Sequence, residues 1–417
     1  RGIKNFAVTQ LSDFMDSHCL RYQILIYNTI KYIIYKTTKK IMRTRTYSIA
    51  IIIIGLLFAN SCINQPSHEK NEENTLKKAL FGMMPDGDSV FLYTLESETE
   101  IVVKITNYGG IITEIHTPDK EGNHTNINLG FDKLDQYLAG HPNFGALIGR
   151  FGNRIAKGQF ELNGTTYNLA INNGNNTLHG GNVGFDDVVW DPEVVDTENG
   201  QSLQLKYFSE DMEEGYPGNL DVTVLYELVG NDLEITYNAE TDKATPVNLT
   251  NHAYFNLSGG GKILDHVLEM KANQYTPVND ETIPTGEIAD VAGTPFDFRT
   301  PKPIGRDIAQ TENGYDHNFV IDREGDGLEW IAKLSDPKSG RTLEVLTMEP
   351  GVQLYTGNFL DGTLSNGNFV FGKNSGLCLE TQHYPDSPNH PHFPSTIVEP
   401  GEKYFTKTVY RFGVMEQ

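Results

Sequence analysis

Cysteine, basic residues and long apolar runs are all scarce in this chain. Three cysteines, Cys19, Cys62 and Cys378, occur in 417 residues. Only Cys378 falls in the part that reads as folded, so no disulfide can staple that body from within. A phosphate loop between strand and helix is missing, as is a Gly-x-Ser-x-Gly elbow, which argues against P-loop nucleotide chemistry and α/β-hydrolase chemistry. Bases number 33 against 55 acids, a formal charge of -22. Beyond residue 61 the balance is 24 bases to 53 acids, about -29. A body this acidic repels phosphate backbones, and nucleic-acid binding is excluded as a function class. The longest apolar run, residues 49–59, is shorter than the roughly 20 residues a membrane-spanning helix needs.

That run has a specific context. Met42-Arg43-Thr44-Arg45 supplies a basic start, the apolar stretch follows, and Ala59-Asn60-Ser61-Cys62 closes it. The pattern is that of a secretory signal, residues 42–61, and the cysteine after a small residue is similar to a bacterial lipoprotein site. Cys62 is therefore expected to carry lipid, which puts the protein in the cell envelope, held to a membrane only through that anchor. Residues 1–41 are read as an upstream extension outside the working protein. Residues 62–79, rich in Asn, Glu and Lys, read as a flexible tether, and residues 80–417 as one folded domain.

From residue 80 onward, short segments alternate apolar and polar residues and are separated by Gly, Asn and Asp turns. Residues 90–95, 100–107, 111–117, 202–208, 221–228 and 233–240 are predicted strands, with Gly230-Asn231-Asp232 as a hairpin turn. Further strands are expected at 264–271, 318–322, 328–335, 342–348, 353–358, 377–381 and 404–412. Helical spacing occurs only at 132–138, where Asp132 is placed to cap a short helix. No fixed-period repeat is present. The expected fold class is all-β, a large antiparallel β-sandwich with few short helices and long loops.

Five patches carry chemistry-bearing side chains. Asn248-Leu249-Thr250-Asn251-His252-Ala253-Tyr254-Phe255-Asn256-Leu257 alternates apolar residues with amides, a His and a Tyr, which suits a rigid wall for a hydroxyl-rich ligand. It is read as a strand, with His252 facing the site. Gly149-Arg150-Phe151-Gly152-Asn153-Arg154 lets the chain turn tightly while the Arg154 guanidinium reaches inward to donate in fork geometry. Asn172-Asn173-Gly174-Asn175-Asn176-Thr177-Leu178-His179-Gly180-Gly181 is a loop that projects His179. Asp316 stands just before a predicted strand, where it can accept from hydroxyls. Glu380 stands at the end of an apolar strand, where desolvation raises a carboxylate's pKa and makes it a stronger base near neutrality. Gln353 adds an amide that can position Glu380 or the ligand. His383, His390 and His392 gather near Asp386, yet four prolines interrupt residues 384–394 and no zinc spacing appears, so no metal is expected. Cys378, between Leu377 and Leu379, reads as a small core residue.

Taken in order, these patches resemble the aldose 1-epimerase (galactose mutarotase) family. The resemblance rests on Gly152-Asn153-Arg154-Ile155, Thr177-Leu178-His179-Gly180-Gly181, Asn251-His252-Ala253-Tyr254-Phe255-Asn256-Leu257, Tyr355-Thr356-Gly357-Asn358 and Leu379-Glu380-Thr381-Gln382, and runs from about residue 81 to the end. It implies the large sandwich of that family and interconversion of the α and β anomers of free aldohexoses such as galactose and glucose. It assigns Glu380 as general base and His252 as general acid, paired across the sheet. Arg154, His179 and Asp316 would bind or orient the sugar, and Asn153 and Gln353 would line the pocket. The chemistry needs no cofactor, and the protein is expected to be a monomer or weak dimer with a small sugar as its only partner. Two other readings stand beside it: an envelope sugar-binding protein without turnover, and a glycoside hydrolase using Glu380 with Asp316, the one carboxylate pair on offer.

Overall fold

The computed structural model describes residues 76–415. The expected extension, signal and lipidated Cys62 lie outside the described residues, as does most of the tether. The first strand nevertheless takes in Lys77, Lys78 and Ala79, which the sequence reading gave to the tether.

The first sheet is a five-strand antiparallel meander: β1 (Lys77–Met83), β2 (Ser89–Glu96), β3 (Val102–Thr106), β4 (Ile112–Pro118) and β5 (His124–Asn126), in that order. The single α-helix among the described residues, α1 (Leu134–Leu138), follows. Lys133 occupies its N-cap and no side chain caps it, so Asp132 does not play the role its spacing suggested. A helix of five residues held by Leu134 and Tyr137 in the core needs no cap to persist.

Most of the remaining strands share two further sheets. β6 (Asp191–Thr197), β7 (Gly200–Ser209), β8 (Leu220–Val229) and β9 (Asp232–Thr241) are sequential hairpins. The chain continues through β10 (Val267–Met270), β11 (Gln274–Tyr275), β12 (Ala289–Asp290), β13 (Lys302–Pro303) and β14 (Asp316–Val320). It ends with β15 (Glu329–Ser335), β16 (Arg341–Thr347), β17 (Gly351–Tyr355), β18 (Cys378–Gln382) and β19 (Tyr404–Val414). Nine of these form one sheet, β6-β7-β8-β9-β19-β16-β15-β10-β13, and five form another, β12-β11-β14-β17-β18. The all-β sandwich expected from the alternation is what the chain builds.

The side-chain period of two explains how the small sheet serves both core and site. On one face Leu354 and Leu379 stand opposite each other, with Val352 beside Phe319. These residues join the main apolar cluster with Leu205, Val224, Ile235, Val345 and Tyr410 of the nine-stranded sheet. On the opposite face Asn318, Gln353 and Glu380 form one cross-strand row, and Asp316, Tyr355 and Cys378 the next. The polar face is buried as well, because segments 140–155, 172–181 and 248–257 fold across it.

Buried arginines tie these crossings down. Arg150 donates to the carbonyls of Ser209, Glu210, Pro217 and Gly218 at 2.8–3.1 Å. Arg341 donates to the carbonyls of Thr117, Asn123 and Leu257 and so links the first sheet to the crossing segment. Of the two arginines in the glycine-rich patch, Arg150 is thus a structural tie and Arg154 is the one turned to the site.

Candidate active site

Four pieces of chain converge on the polar face of the small sheet. Arg154–Ile155 pairs antiparallel with Thr177–Leu178, Arg154 standing opposite Leu178, and this register sets Asn153 beside His179. Both adopt left-handed backbone, φ +62° and +51°. Asn153 tolerates that region well; His179 is held in it by the backbone amide of Asn153, which donates to its Nδ1 at 3.1 Å. The bond also fixes the ring's state. An Nδ1 that accepts leaves the neutral ring's proton on Nε2, which points toward the cleft as a donor. The Asn-rich loop is stitched to itself. Asn172 bonds Leu178 and Gly181, and Asn176 receives the amide of Lys157. It is therefore a rigid mount.

Only Thr250–Asn251 of the polar stretch is a strand, paired with Leu147–Ile148. The long strand expected over 248–257 does not form, because the amides of this stretch bond to other segments and take the place of a ladder. Asn248 bonds Gly152 and His383, Asn251 bonds Gly145, and Asn256 bonds Ser375. His252 is fixed by its own backbone, donating to Ala146 at 2.9 Å and accepting from Gly145 at 3.0 Å. Its ring hangs over the small sheet from this crossing segment, which corrects the expectation of a cross-strand pair. Nε2 lies 3.6 Å from Oε2 of Glu380, and Nδ1 lies 3.4 Å from the Cys378 sulfur. Cys378 is buried as expected, but against the histidine.

Glu380 is the middle residue of β18, not its end, and is 1 % exposed. Its Oε2 has no hydrogen-bond partner. Gln353 stands opposite it and donates to Asp316 at 2.7 Å. Gln353, on the same face as Glu380, thus holds a neighbouring carboxylate and is not among the residues that line the cleft, where the resemblance had put it. Asp316 is the first residue of β14. Arg154 spends its Nε on Asn173 at 3.1 Å, leaving both Nη groups without a protein partner among the described residues.

The electrostatics follow from burial. Burial pushes Glu380 well above the usual carboxylate range, the charge of Asp316 adds to the rise and Arg154 opposes it. Burial lowers His252 to about 4, against the pull of its own backbone carbonyl. His179 falls well below its usual value through burial, then His252 and Arg154. Asp316 is raised by burial, with Arg154 and Gln353 acting the other way.

The result is a cleft of about 450 Å³ lined by Asn153, Arg154, His179, His252, Asp316 and Glu380. Tyr254, Tyr355, Phe359 and the loop Asp280, Glu281 and Thr282 also line it. Tyr355 stood in a quoted motif without a role. The 280–282 loop gave no sequence signal, since Glu281 is held by Asn175 and Asn176 from far along the chain. His383 and His392 bond instead to Glu349 and the Gly286 carbonyl, and His390 Nε2 lies 3.3 Å from an Asp386 oxygen. Ligand atoms of His179, His252 and Glu380 do lie within 4.8 Å of one another. The Asn153 amide on His179 Nδ1 obliges Nε2 to keep its proton, so that nitrogen offers no free lone pair and the trio suits a metal poorly.

Chemically, the cleft offers one buried carboxylate and one buried imidazole side by side, ringed by donors. Comparison with known proteins agrees in outline. The family model described as aldose 1-epimerase matches residues 92–411. Human galactose mutarotase is 46 % identical over 345 residues, 82 % of this chain and 99 % of that protein. The aldose 1-epimerase of Escherichia coli K12 is 38 % identical over 339 residues, 79 % of this chain and 97 % of its own. Among solved structures, galactose 1-epimerase from Lactobacillus acidophilus superposes with a TM-score of 0.73 at 30 % identity, covering 82 % of this chain and all of that one.

Proposed function

Because the chain belongs to the aldose 1-epimerase family, we propose that its cleft interconverts the α and β anomers of free aldohexoses such as galactose and glucose. The protein is an isomerase, a mutarotase. The observation that carries the mechanism is the buried His252–Glu380 pair at 3.6 Å. Ring opening needs a proton taken from the anomeric hydroxyl and one given to the ring oxygen. Glu380, its Oε2 unpartnered, takes the first, and His252 gives the second from Nε2. The exposed aldehyde turns about its bond to the second carbon. Closure on the other face sends both protons back, so the enzyme ends each cycle as it began, with nothing oxidised or reduced. His179 Nε2–H and the Nη groups of Arg154 donate to ring oxygen and hydroxyls, and Asp316, held by Gln353, accepts from a hydroxyl remote from the reacting carbon. Such fixed donors hold the sugar in reactive register.

Each positioned proton-transfer group contributes about 10²–10⁴-fold. Glu380→Gln and His252→Asn should each slow mutarotation of freshly dissolved α-D-glucose or α-D-galactose by that order, read by polarimetry. Wild-type rates in both variants would dismiss this mechanism.

We further infer export and lipidation at Cys62, supported by the basic, apolar and small-residue order of residues 42–62. In cells, Cys62→Ala should move the protein from the detergent phase to the soluble fraction. Unchanged partitioning would refute the anchor.

A further inference from the structure

Three kinds of contact hold His252, and the last of them tells its two ring nitrogens apart. The rings of His179, Tyr254 and Tyr355 stand around it at centroid distances of 5.1, 5.0 and 6.3 Å. Its backbone amide and carbonyl bond Ala146 and Gly145. These contacts fix the place and the plane of the imidazole, but a ring turned over about its bond to Cβ would fit the same walls. On its far edge, Nδ1 meets the sulfur of the fully buried Cys378 at 3.4 Å. That sulfur belongs to the floor of the cleft. Cys378 stands in β18 two residues before Glu380 and shares a cross-strand row with Asp316 and Tyr355.

Counting protons shows what the sulfur has to do. Mutarotation needs a pair that holds one proton between them, on the Glu380 carboxyl or on Nε2 of His252. With the proton on the carboxyl, Nε2 must offer a lone pair to receive it; with the proton on Nε2, the ring is an imidazolium. In both forms Nδ1 carries hydrogen. Turnover asks the same. Once Nε2 has given its proton to the ring oxygen, the neutral ring can take one back at closure only if its remaining hydrogen sits on Nδ1. A buried N–H without an acceptor is costly. The residue's own carbonyl also draws hydrogen onto the ring, but it already accepts from the Gly145 amide at 3.0 Å. We propose that the Cys378 sulfur is the acceptor for Nδ1–H, which makes Cys378 a positioning residue that keeps Nε2 as the exchanging nitrogen, turned to Glu380 and the sugar. This rests on the mutarotase reading. Burial pushes the thiol well above its ordinary value, so it stays neutral. It therefore orients the ring without fixing the shared proton there, as a facing carboxylate would.

The test uses the purified protein carrying isotope-labelled histidine, whose ring nitrogens report their protonation by NMR. The His252 signals are identified by their loss in His252→Asn. At neutral pH, Nδ1 of the wild-type ring is expected to bear hydrogen. Cys378→Ala and Cys378→Ser remove nearly the same volume, but only serine keeps an acceptor, so a mere packing role would make the two variants alike. Alanine should lower kcat for glucose about fivefold, the scale of one neutral hydrogen bond, with KM held within about twofold. It should also leave Nδ1 partly bare in the spectrum. Serine should recover most of the lost kcat. A wild-type Nδ1 without hydrogen, the thiol then donating to it, overturns the role, and so does equal kcat in the two variants; either result leaves the mutarotase intact. The wild-type spectrum decides even where the alanine variant folds poorly. A wild type that turns over no free sugar would overturn the mutarotase reading, and this role with it.

Discussion

At the scale of single residues, the pair at the floor of the cleft is governed by where one proton sits. Burial disfavours a lone charge on either Glu380 or His252, so the pair is expected to hold one proton between them at neutrality. That is the form able both to accept and to donate. Adding a second proton protonates His252 while Glu380 already carries its own, and the base is lost. Since His252 is lowered to about 4, kcat/KM for glucose should stay level through neutrality and fall as pH drops through that value. A profile that already collapses near the ordinary imidazole value, at about pH 6.5, would contradict this picture. These residues were legible in the sequence because the chemistry demands their types: a carboxylate within an apolar strand, a histidine among amides, an arginine between glycines. Gln353 was expected near Glu380 and stands there, but its bond to Asp316 was not foreseen. Its register opposite Glu380 is a property of paired strands, which sequence spacing alone does not reveal.

At the scale of elements, the long strands announced themselves through alternation. β7, β8, β9, β15 and β16 fall within a residue or two of the predicted spans. Among the site's own elements, β14 and β18 also lie within two residues of their predicted spans, but the short ones gave no such signal. Arg154–Ile155, Thr177–Leu178 and Thr250–Asn251 are two residues each, too short to have a period, and exist because distant segments press on them. Their geometry leaves little slack. Gly180, at φ +96°, brings its backbone so near the Gly149 carbonyl that a Cβ would lie 2.0 Å from that oxygen. Gly180→Ala should therefore destabilise the protein by about 1–3 kcal/mol in denaturant titration. By shifting His179 it should also raise KM for glucose. An unchanged midpoint and KM would mean that the loop adapts freely.

At the scale of the whole molecule, the nine-stranded sheet is closed by its last strand. β19 lies between β9 and β16, bonded to both along most of its length, so sequence-remote parts of the chain share one sheet only through it. Removing residues 404–417 would bare two long strand edges and take the buried Tyr404, Val409, Tyr410 and Phe412 out of the core. The truncated chain should be found in inclusion bodies, or bind a hydrophobic dye in place of showing a cooperative melt. A soluble truncate with wild-type melting would contradict that. The position of β19 also bears on how the protein comes into being. Synthesis runs from the N-terminus at about 5–20 residues per second, and domains ordinarily close as their chain emerges. Here the eleven residues of the central strand follow every other strand of their sheet along the chain. The sheet therefore stays open until this strand has emerged, and only then can its two halves lock.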